Sequence, residues 1–295
     1  MSHAELLENF RSCQRYKLAK AWQKPFLNPR RFVTNQLRRR GLLCHPVGTL
    51  RRSAAFHLPE FTLVQGEAVS QQIDSYGIYE DSLTESFLRL VRPGQIAIDV
   101  GMHLGYYTTL FACLVQERGE VHAFEPTPST REIAQYNVRR FPNVVVHAEA
   151  LWSSVQTLPF RDFGIEWMAF NSFKIARTSR APEPKTLLVQ TTTLDDFRRA
   201  LGKPISLLKI DAESAEREIL EGGRKSILMD YPLISLEVGD GAGAPSSRSL
   251  VDHLAELSYE PWEFCDGHFQ RHRLRNSYQY DNLIFAPGSR DLASS

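Results

Sequence analysis

The sequence predicts an α/β protein built on a doubly wound, mostly parallel sheet of seven strands. From residue 95 onward, short apolar runs typical of buried strands alternate with segments of helical periodicity, which indicates parallel strands joined by helices. Near the C-terminus two strand-like segments follow one another without a helix between them, so we expect an antiparallel strand at one edge of the sheet. The 295 residues suffice for one such domain and an extension.

The elements expected before the sheet are two helices, a hairpin and an amphipathic helix, at residues 4–22, 29–41, 54–64 and 81–91. The last of these ends at Pro93-Gly94, a strong stop and turn sequence. The strands expected in the sheet are residues 95–101, 120–126, 143–151, 206–213, 232–239, 259–264 and 282–287, with helices after the first two at 106–117 and 128–140.

Basic residues are concentrated at the N-terminus. Residues 1–52 hold twelve Lys or Arg and two acids, whereas the remainder carries an excess of nine negative charges. We therefore divide the chain into a basic helical extension, 1–52, and a main α/β domain, 53–295. The asymmetry favours an anionic membrane face, self-association or contact with the acidic body as the role of the extension, with a solvated face or a helical cap as the alternative. The net charge of +1 argues against nucleic acid as a partner.

Cysteine spacing and hydropathy indicate the compartment. The four cysteines lie far apart without a C-x-x-C pair, which argues against a zinc site and a disulfide framework. The first residues contain acids and no uninterrupted apolar stretch, so no secretory signal is expected, and no run of about 18 uncharged apolar residues predicts a membrane span. We expect a cytoplasmic protein whose extension could attach it peripherally to a membrane.

The loop after the first strand of the sheet reads D-x-G-x-x-x-G, from Asp99 to Gly105. Doubly wound sheets bind ligands beside this strand, outside the carboxyl ends of the strands. The loop lacks the G-x-G-x-x-G of dinucleotide sites, because His103 and Tyr106 occupy the second and third glycine positions. Asp99 instead suits a cationic group, and Glu125, at the end of the next strand, suits two ribose hydroxyls. S-adenosylmethionine combines these features; a purely structural turn is the alternative.

At this point the sequence resembles the FkbM-type methyltransferases, a branch of the class I S-adenosylmethionine-dependent enzymes. The resemblance is carried by IAIDVGMHLGYYTTLFA, VHAFEPTP, TTTLDDF, LLKIDAESAEREILEG, LISLEVGD and DNLIFAP, and it covers roughly residues 74–287. It implies a Rossmann-like fold and methyl transfer to a hydroxyl of a sugar, glycan or small natural-product metabolite, with S-adenosylhomocysteine as product. His103 stands where the family usually has Asn, and Ser214 stands where it usually has Gly, whose freedom at positive φ serine lacks.

The resemblance also implies the residues of the site. Asp211 and Glu213 are expected beside the methyl group and the acceptor as candidates for the general base, since neighbouring acids can raise one pKa; a helix cap and a first-turn acid are the alternative roles. His103 is a second catalytic candidate, or a loop residue that bonds a backbone carbonyl. The residues expected to bind the cofactor are Asp99, Gly101, His103, Gly105, Tyr107, Thr108, Glu125, Pro126, Glu149, Ala150, Leu151 and Asp211.

Acceptor contacts are expected from Glu80, Glu237 and His268. Pairing with a buried Arg or Lys is the alternative for Glu237, and a surface loop is the alternative for His268. Asp195-Asp196 are expected to cap a helix, and no metal site is predicted. The aromatic-rich segment 161–185 is expected either to cover the substrate or to pack as a hairpin at the edge of the body.

Two other classes of function remain open beside an O-methyltransferase. The changes at His103 and Ser214 are compatible with a non-catalytic cofactor-binding or scaffold protein of the same fold. An NAD-dependent enzyme is disfavoured by the missing glycines.

Overall fold

The computed structural model describes residues 1–43, 45–173, 182–240 and 246–294. Its α-helices are α1 His3–Leu18, α2 Lys24–Leu27, α3 Pro29–Arg39, α4 Ala68–Tyr76, α5 Asp81–Leu90, α6 Tyr106–Val115, α7 Pro128–Val138, α8 Leu194–Leu201, α9 Glu216–Gly222, α10 Arg224–Asp230 and α11 Ser247–Glu256. Its strands are β1 Leu50–Ala55, β2 Leu58–Val64, β3 Ile96–Val100, β4 Glu120–Phe124, β5 Val144–His147, β6 Ala150–Leu151, β7 Thr157–Asp162, β8 Lys185–Thr192, β9 Leu207–Ile210, β10 Leu233–Val238, β11 Tyr259–Cys265, β12 His268–Arg271 and β13 Asp281–Pro287. A 3-10 turn covers Met168–Phe170.

The central sheet contains eight strands within the described residues, in the order β12-β11-β13-β10-β9-β3-β4-β5. The five strands from β10 to β5 are parallel. Strand β13 lies antiparallel between β10 and β11, and β12 adds an antiparallel strand at the edge. All seven expected strands are present, and β12 is an eighth that was not expected, because it is short and only Phe269 of its four residues is buried.

The expected third strand, 143–151, is two strands in the structure. Its first part, β5, pairs with β4 in the central sheet. Its second part, β6, pairs with β8, which in turn pairs with β7 in a separate three-stranded sheet. One continuous apolar segment therefore contributes strands to two sheets, because the chain turns away from the central sheet after His147.

Strand β3 is the point at which the strand order reverses. The chain continues from β3 to β4 and β5 on one side and later adds β9 and β10 on the other. Connections that leave in opposite directions open a crevice at the carboxyl ends of the strands. In this fold the crevice lies between the residues that follow Val100, Phe124 and Ile210.

Alternating side chains place helices on both faces of the sheet. In β3, Ala97 belongs to the core cluster that contains Phe87 of α5 and Phe111 of α6. Ile98 points to the opposite face and belongs to the cluster that contains Leu254 of α11. Because successive side chains of a strand point to opposite faces, Asp99 points to the same face as Ala97, under α6.

The N-terminal extension folds against the body. Leu6 and Phe10 of α1 are fully buried in the same core cluster as residues of α5 and α6. Lys17 forms an ion pair of 2.7 Å with Asp81, and the Arg31 guanidinium donates to the backbone carbonyl of Ala54 at 3.1 Å. The extension is therefore tied to the domain by packing, hydrogen bonds and ion pairs. No helix among the described residues is both long and apolar enough to cross a bilayer.

Candidate active site

A cavity of about 990 Å³, measured out to its open mouth, lies in the crevice beside β3. Apolar walls with a few convergent polar groups are typical of ligand-binding sites. Ten of the residues expected to contribute to the site line it, from the cofactor, catalytic and acceptor groups alike: Gly101, His103, Tyr107, Glu125, Pro126, Ala150, Leu151, Asp211, Glu213 and Glu237. The structure thus brings together residues from β6 and from the ends of β3, β4, β9 and β10, which lie far apart in sequence.

Asp99 does not lie in this cavity, which corrects the expectation of direct contact with a ligand. Its side chain is fully buried and accepts a hydrogen bond of 2.6 Å from the Thr108 hydroxyl. The Lys209 ammonium is 3.4 Å from its other oxygen. Asp99 and Thr108 therefore form a layer beneath the cavity that positions Lys209. Its strand-end position was visible in the sequence, but the face to which its side chain points was not.

Four other expected residues also lie outside the cavity lining. Gly105 begins α6 with φ +86° and contacts α7. Glu149 is exposed after β5. His268 is exposed at the turn between β11 and β12, as its surface-loop alternative predicted. Glu80 lies behind the wall and acts on it through hydrogen bonds.

The floor of the cavity depends on a close approach of two loops at Gly101. This glycine has φ +77°, and a Cβ built on it would lie 1.9 Å from the carbonyl oxygen of Asp211. Any side chain here would therefore push the loop after β9 away from the loop after β3. Glycine is required at position 101 because there is no room for a side chain and because the backbone is in the left-handed conformation.

The two departures from the family pattern fall on left-handed backbone. His103 has φ +50°, and Ser214 has φ +79° directly after Glu213 at φ +45°. The concern that Ser214 replaces a glycine at positive φ is thus confirmed, and the backbone adopts the turn nevertheless. The N–H of Ser214 donates to Oε1 of Glu216 at 3.0 Å, which helps to hold it. Strained residues of this kind cluster at functional sites.

Glu125 presents a fixed carboxylate to the cavity. The backbone N–H of His103 donates to one of its oxygens at 3.2 Å, and the N–H of Thr127 donates to the other at 3.0 Å. Burial raises the pKa of Glu125 to about 7, against the effect of these donors. The carboxylate is therefore held in place while it is close to its titration midpoint at neutral pH.

A row of charged side chains lies on the α6 face of the sheet. The register pairs Asp99 with Lys209 across the strands, and Asp211 follows two residues later on the same face. The Lys209 ammonium lies 3.3 Å from the Asp211 carboxylate. Burial alone would raise the pKa of Asp211, but the charge of Lys209 and a hydrogen bond with Glu237 outweigh it and lower that pKa. Asp211 is therefore ionised beside the buried ammonium.

Three carboxylates meet at the rim of the cavity. Asp211, Glu213 and Glu237 each offer an oxygen, and these oxygens lie within 4.8 Å of one another. Oxygens at this spacing could ligate one divalent cation, although the buried ammonium of Lys209 already supplies positive charge beside Asp211. The arrangement can accept a proton or several hydrogen bonds from a hydroxylated ligand.

One wall of the cavity is aromatic and is held by Glu80. The Tyr107 hydroxyl donates to Oε2 of Glu80 at 2.8 Å, and the Tyr280 hydroxyl donates to Oε1 at 2.7 Å. Burial and the nearby Asp211 charge raise the pKa of Glu80. Glu80 thus positions two rings that line the cavity.

Lys209 and Tyr280 line the cavity but were not expected from the sequence. The position of Lys209, two residues before Asp211 in a strand, could have indicated that both side chains lie on the same face.

His103 is a neutral side chain in this environment. Burial lowers its pKa, against the opposing charge of Glu67. Its Nε2 lies 3.8 Å from Oε1 of Glu67, and Glu67 itself caps α4 by accepting from the N–H groups of Val69 and Ser70. An uncharged imidazole at the cavity wall can accept a proton but does not supply a cation.

The described part of the aromatic-rich segment both lines the cavity and packs against the body. Met168 and Asn171 line the cavity, whereas Phe173 packs against Trp152 and against Phe160 of β7. Residues 174–181 of this segment lie outside the described residues.

Asp195 caps a helix, as expected, but the helix is α10: its carboxylate accepts from the N–H of Ser226 at 2.7 Å.

Solved structures provide three similar folds. Methyltransferase FkbM from Methylobacillus flagellatus KT is 15% identical over 69% of this chain, with a TM-score of 0.42, and this chain spans half of its length. Aeropyrum pernix fibrillarin, solved with bound S-adenosyl-L-methionine, is 13% identical over 69% of this chain and 73% of its own, with a TM-score of 0.42. The SAM-dependent O-methyltransferase TM0748 from Thermotoga maritima is 12% identical over 83% of this chain and 80% of its own, with a TM-score of 0.41.

No curated protein matches the chain in sequence. The sequence pattern of the Methyltransferase FkbM domain matches residues 99–261, which is more than half of the chain and includes every residue of the cavity from β3 to β10. This confirms the resemblance inferred from the motifs: the chain belongs to the FkbM family of methyltransferases.

Proposed function

We propose that the protein transfers a methyl group from S-adenosylmethionine to a hydroxyl oxygen of a sugar, glycan or small natural-product metabolite. Membership of a methyltransferase family supports the reaction type and the cofactor. The observation that carries the hydroxyl acceptor is the composition of the cavity, in which Glu125 and the carboxylates of Asp211, Glu213 and Glu237 share one space.

The residues present fit an adenosine with a cationic tail. The carboxylate of Glu125 retains acceptor capacity for two ribose hydroxyls beyond the two N–H groups that hold it. Gly101 lines the cavity, and Ala150 and Leu151 offer an apolar surface for a base. When bound, S-adenosylmethionine supplies an activated methyl group on a positively charged sulfur.

The protein's own part in the reaction is to align the acceptor and remove its proton. A hydroxyl is a weak nucleophile while protonated, and a positioned base contributes about 10²–10⁴-fold. Asp211 is the candidate for this role because it lines the cavity and Lys209 keeps it ionised, so it can accept a proton. The pKa of Asp211 is lowered and not raised as the sequence suggested, which makes it a weaker base than an unpaired carboxylate. Glu213 and Glu237 can accept hydrogen bonds from neighbouring hydroxyls of the acceptor, and the rings of Tyr107 and Tyr280 exclude water from one side.

Calorimetry with S-adenosylhomocysteine tests cofactor binding. We expect the protein to bind it, and we expect Glu125→Ala to weaken the affinity at least about tenfold, since a buried hydrogen bond to a charged group is worth about 1.5–3 kcal/mol. Glu132→Ala removes an exposed glutamate on α7 and is the matched control. No binding at millimolar ligand, or equal loss in both variants, would contradict the proposal.

Methyl transfer from labelled S-adenosylmethionine to a panel of saccharides and hydroxylated metabolites separates an enzyme from a scaffold. Asp211→Asn should keep cofactor binding and lose about 10²-fold or more in rate. Binding without transfer to any hydroxylated acceptor would favour the non-catalytic alternative. Displacement of S-adenosylhomocysteine by NADH would favour the nicotinamide alternative.

A further inference from the structure

An apolar surface is left uncovered where α1 meets α2. Leu18, Trp22, Phe26 and Leu27 are exposed by 76%, 67%, 83% and 46%. These four side chains line one shallow groove together with Ala19. Single exposed apolar residues are common, but a contiguous group that includes two aromatic rings indicates an interaction surface.

The segment of chain that carries this groove is basic. From residue 9 to residue 59 the chain contains no Asp or Glu. Arg15 lines the groove, and the exposed Lys20 and Arg30 flank its apolar residues in sequence. Lys17, by contrast, is directed at the body through its pair with Asp81. Exposed cations therefore lie in and beside the apolar groove along the chain.

We propose that this surface binds an anionic lipid membrane. Trp and Phe side chains insert readily at the level of lipid headgroups, where an amphipathic ring has both apolar and polar neighbours. Basic side chains beside them are attracted to acidic lipids. A second copy would have to place a basic surface against another basic surface if the contact were symmetric, and like charges disfavour that arrangement. Charge complementarity thus selects a lipid surface.

Vesicle sedimentation with the full chain tests this proposal. We expect binding to vesicles of phosphatidylcholine mixed with phosphatidylglycerol, weaker binding to phosphatidylcholine alone, and at least about fivefold less binding when salt rises from about 0.1 M to about 0.5 M. Trp22→Ser combined with Phe26→Ser should reduce the bound fraction at least about fivefold. Leu188→Ser, at a residue 77% exposed on β8, is the matched control and should bind as the unmodified chain does.

A second pair of variants tests the charges. Arg15→Gln with Lys20→Gln should lose binding to acidic vesicles, whereas Arg224→Gln with Lys225→Gln removes the same charge from an exposed end of α10 and should not. Thermal melts confirm that each variant is folded. Equal pelleting with neutral and acidic vesicles, no pelleting, or a concentration-dependent dimer abolished by the Trp22 and Phe26 changes would overturn the proposal.

Discussion

Among single residues, Lys209 has the largest influence on the charge of the site. It is almost fully buried, and its ammonium lies between Asp99 at 3.4 Å and Asp211 at 3.3 Å. Burial alone would lower its pKa, but Asp211, Asp99 and Glu80 together raise it. The lysine is therefore a permanent cation that keeps Asp211 ionised, and it is not itself a base.

Loss of this cation should destabilise the protein strongly. Lys209→Met leaves two carboxylates without their buried partner, and we expect the free energy of unfolding to fall by about 3–5 kcal/mol in urea denaturation. Lys203→Met is the matched control, because Lys203 pairs with Glu120 in an exposed position, where such a pair contributes about 1 kcal/mol or less. Equal effects of the two substitutions would show that the buried pair is not stabilising.

The raised pKa of Glu125 predicts a pH dependence of binding. Burial places that pKa at about 7 in the free protein, and ribose hydroxyls would donate to the ionised form. The affinity for S-adenosylhomocysteine should therefore weaken about tenfold as pH falls from about 8 to about 6, because protonated Glu125 must release its proton on binding. Calorimetry across this pH range measures the affinity for S-adenosylhomocysteine. Glu125→Gln should bind weakly with a flat profile, and the same slope in that variant would assign the titration to another group.

At the scale of elements, the loops after β3 and β9 form one unit. A side chain at Gly101 would be opposed both by the left-handed backbone conformation and by lack of space, because its Cβ would lie 1.9 Å from the Asp211 carbonyl oxygen. Gly94 has a similar φ of +84° with nothing within 4 Å of its Cβ position. The two glycines therefore form a natural matched pair.

Gly101→Ala should cost more than Gly94→Ala in the free energy of unfolding. In both variants an alanine must adopt the left-handed conformation, which lowers the free energy of unfolding by about 1–2 kcal/mol. Only Gly101→Ala also creates a clash with backbone atoms, for which we expect a further loss of about 1–3 kcal/mol. Gly101→Ala should also abolish binding of S-adenosylhomocysteine, while Gly94→Ala retains it. Similar stability and binding in both variants would contradict the close approach of the two loops.

At the scale of the whole molecule, the N-terminal helix is part of the core. Phe10 is fully buried, whereas Phe26, in the same extension, is 83% exposed. Phe10→Ala should lower the free energy of unfolding by about 3–5 kcal/mol, and Phe26→Ala should change it by about 0.5 kcal/mol or less. Denaturant titration measures both. A negligible effect at Phe10 would show that the extension is an independent appendage.

The order of most strands in the central sheet could be predicted because they are apolar runs bounded by turns. Strands β7, β8 and β12 were not predicted, because most of their residues are exposed or only partly buried. Glu125 and Asp211 could be assigned to the cavity from their positions at strand ends. Asp99 could not, since the sequence does not show which face of the sheet a strand-end residue occupies. Lys209 and Tyr280 were missed because their roles depend on strand register and on a hydrogen bond to Glu80 across about 200 residues of chain.

A crystal structure of the protein with S-adenosylhomocysteine tests the central claim most directly. We predict the ribose hydroxyls at the Glu125 carboxylate, the base against Ala150 and Leu151, and the sulfur directed towards Asp211. Density for the ligand outside this cavity, or a ribose that makes no contact with Glu125, would contradict the account.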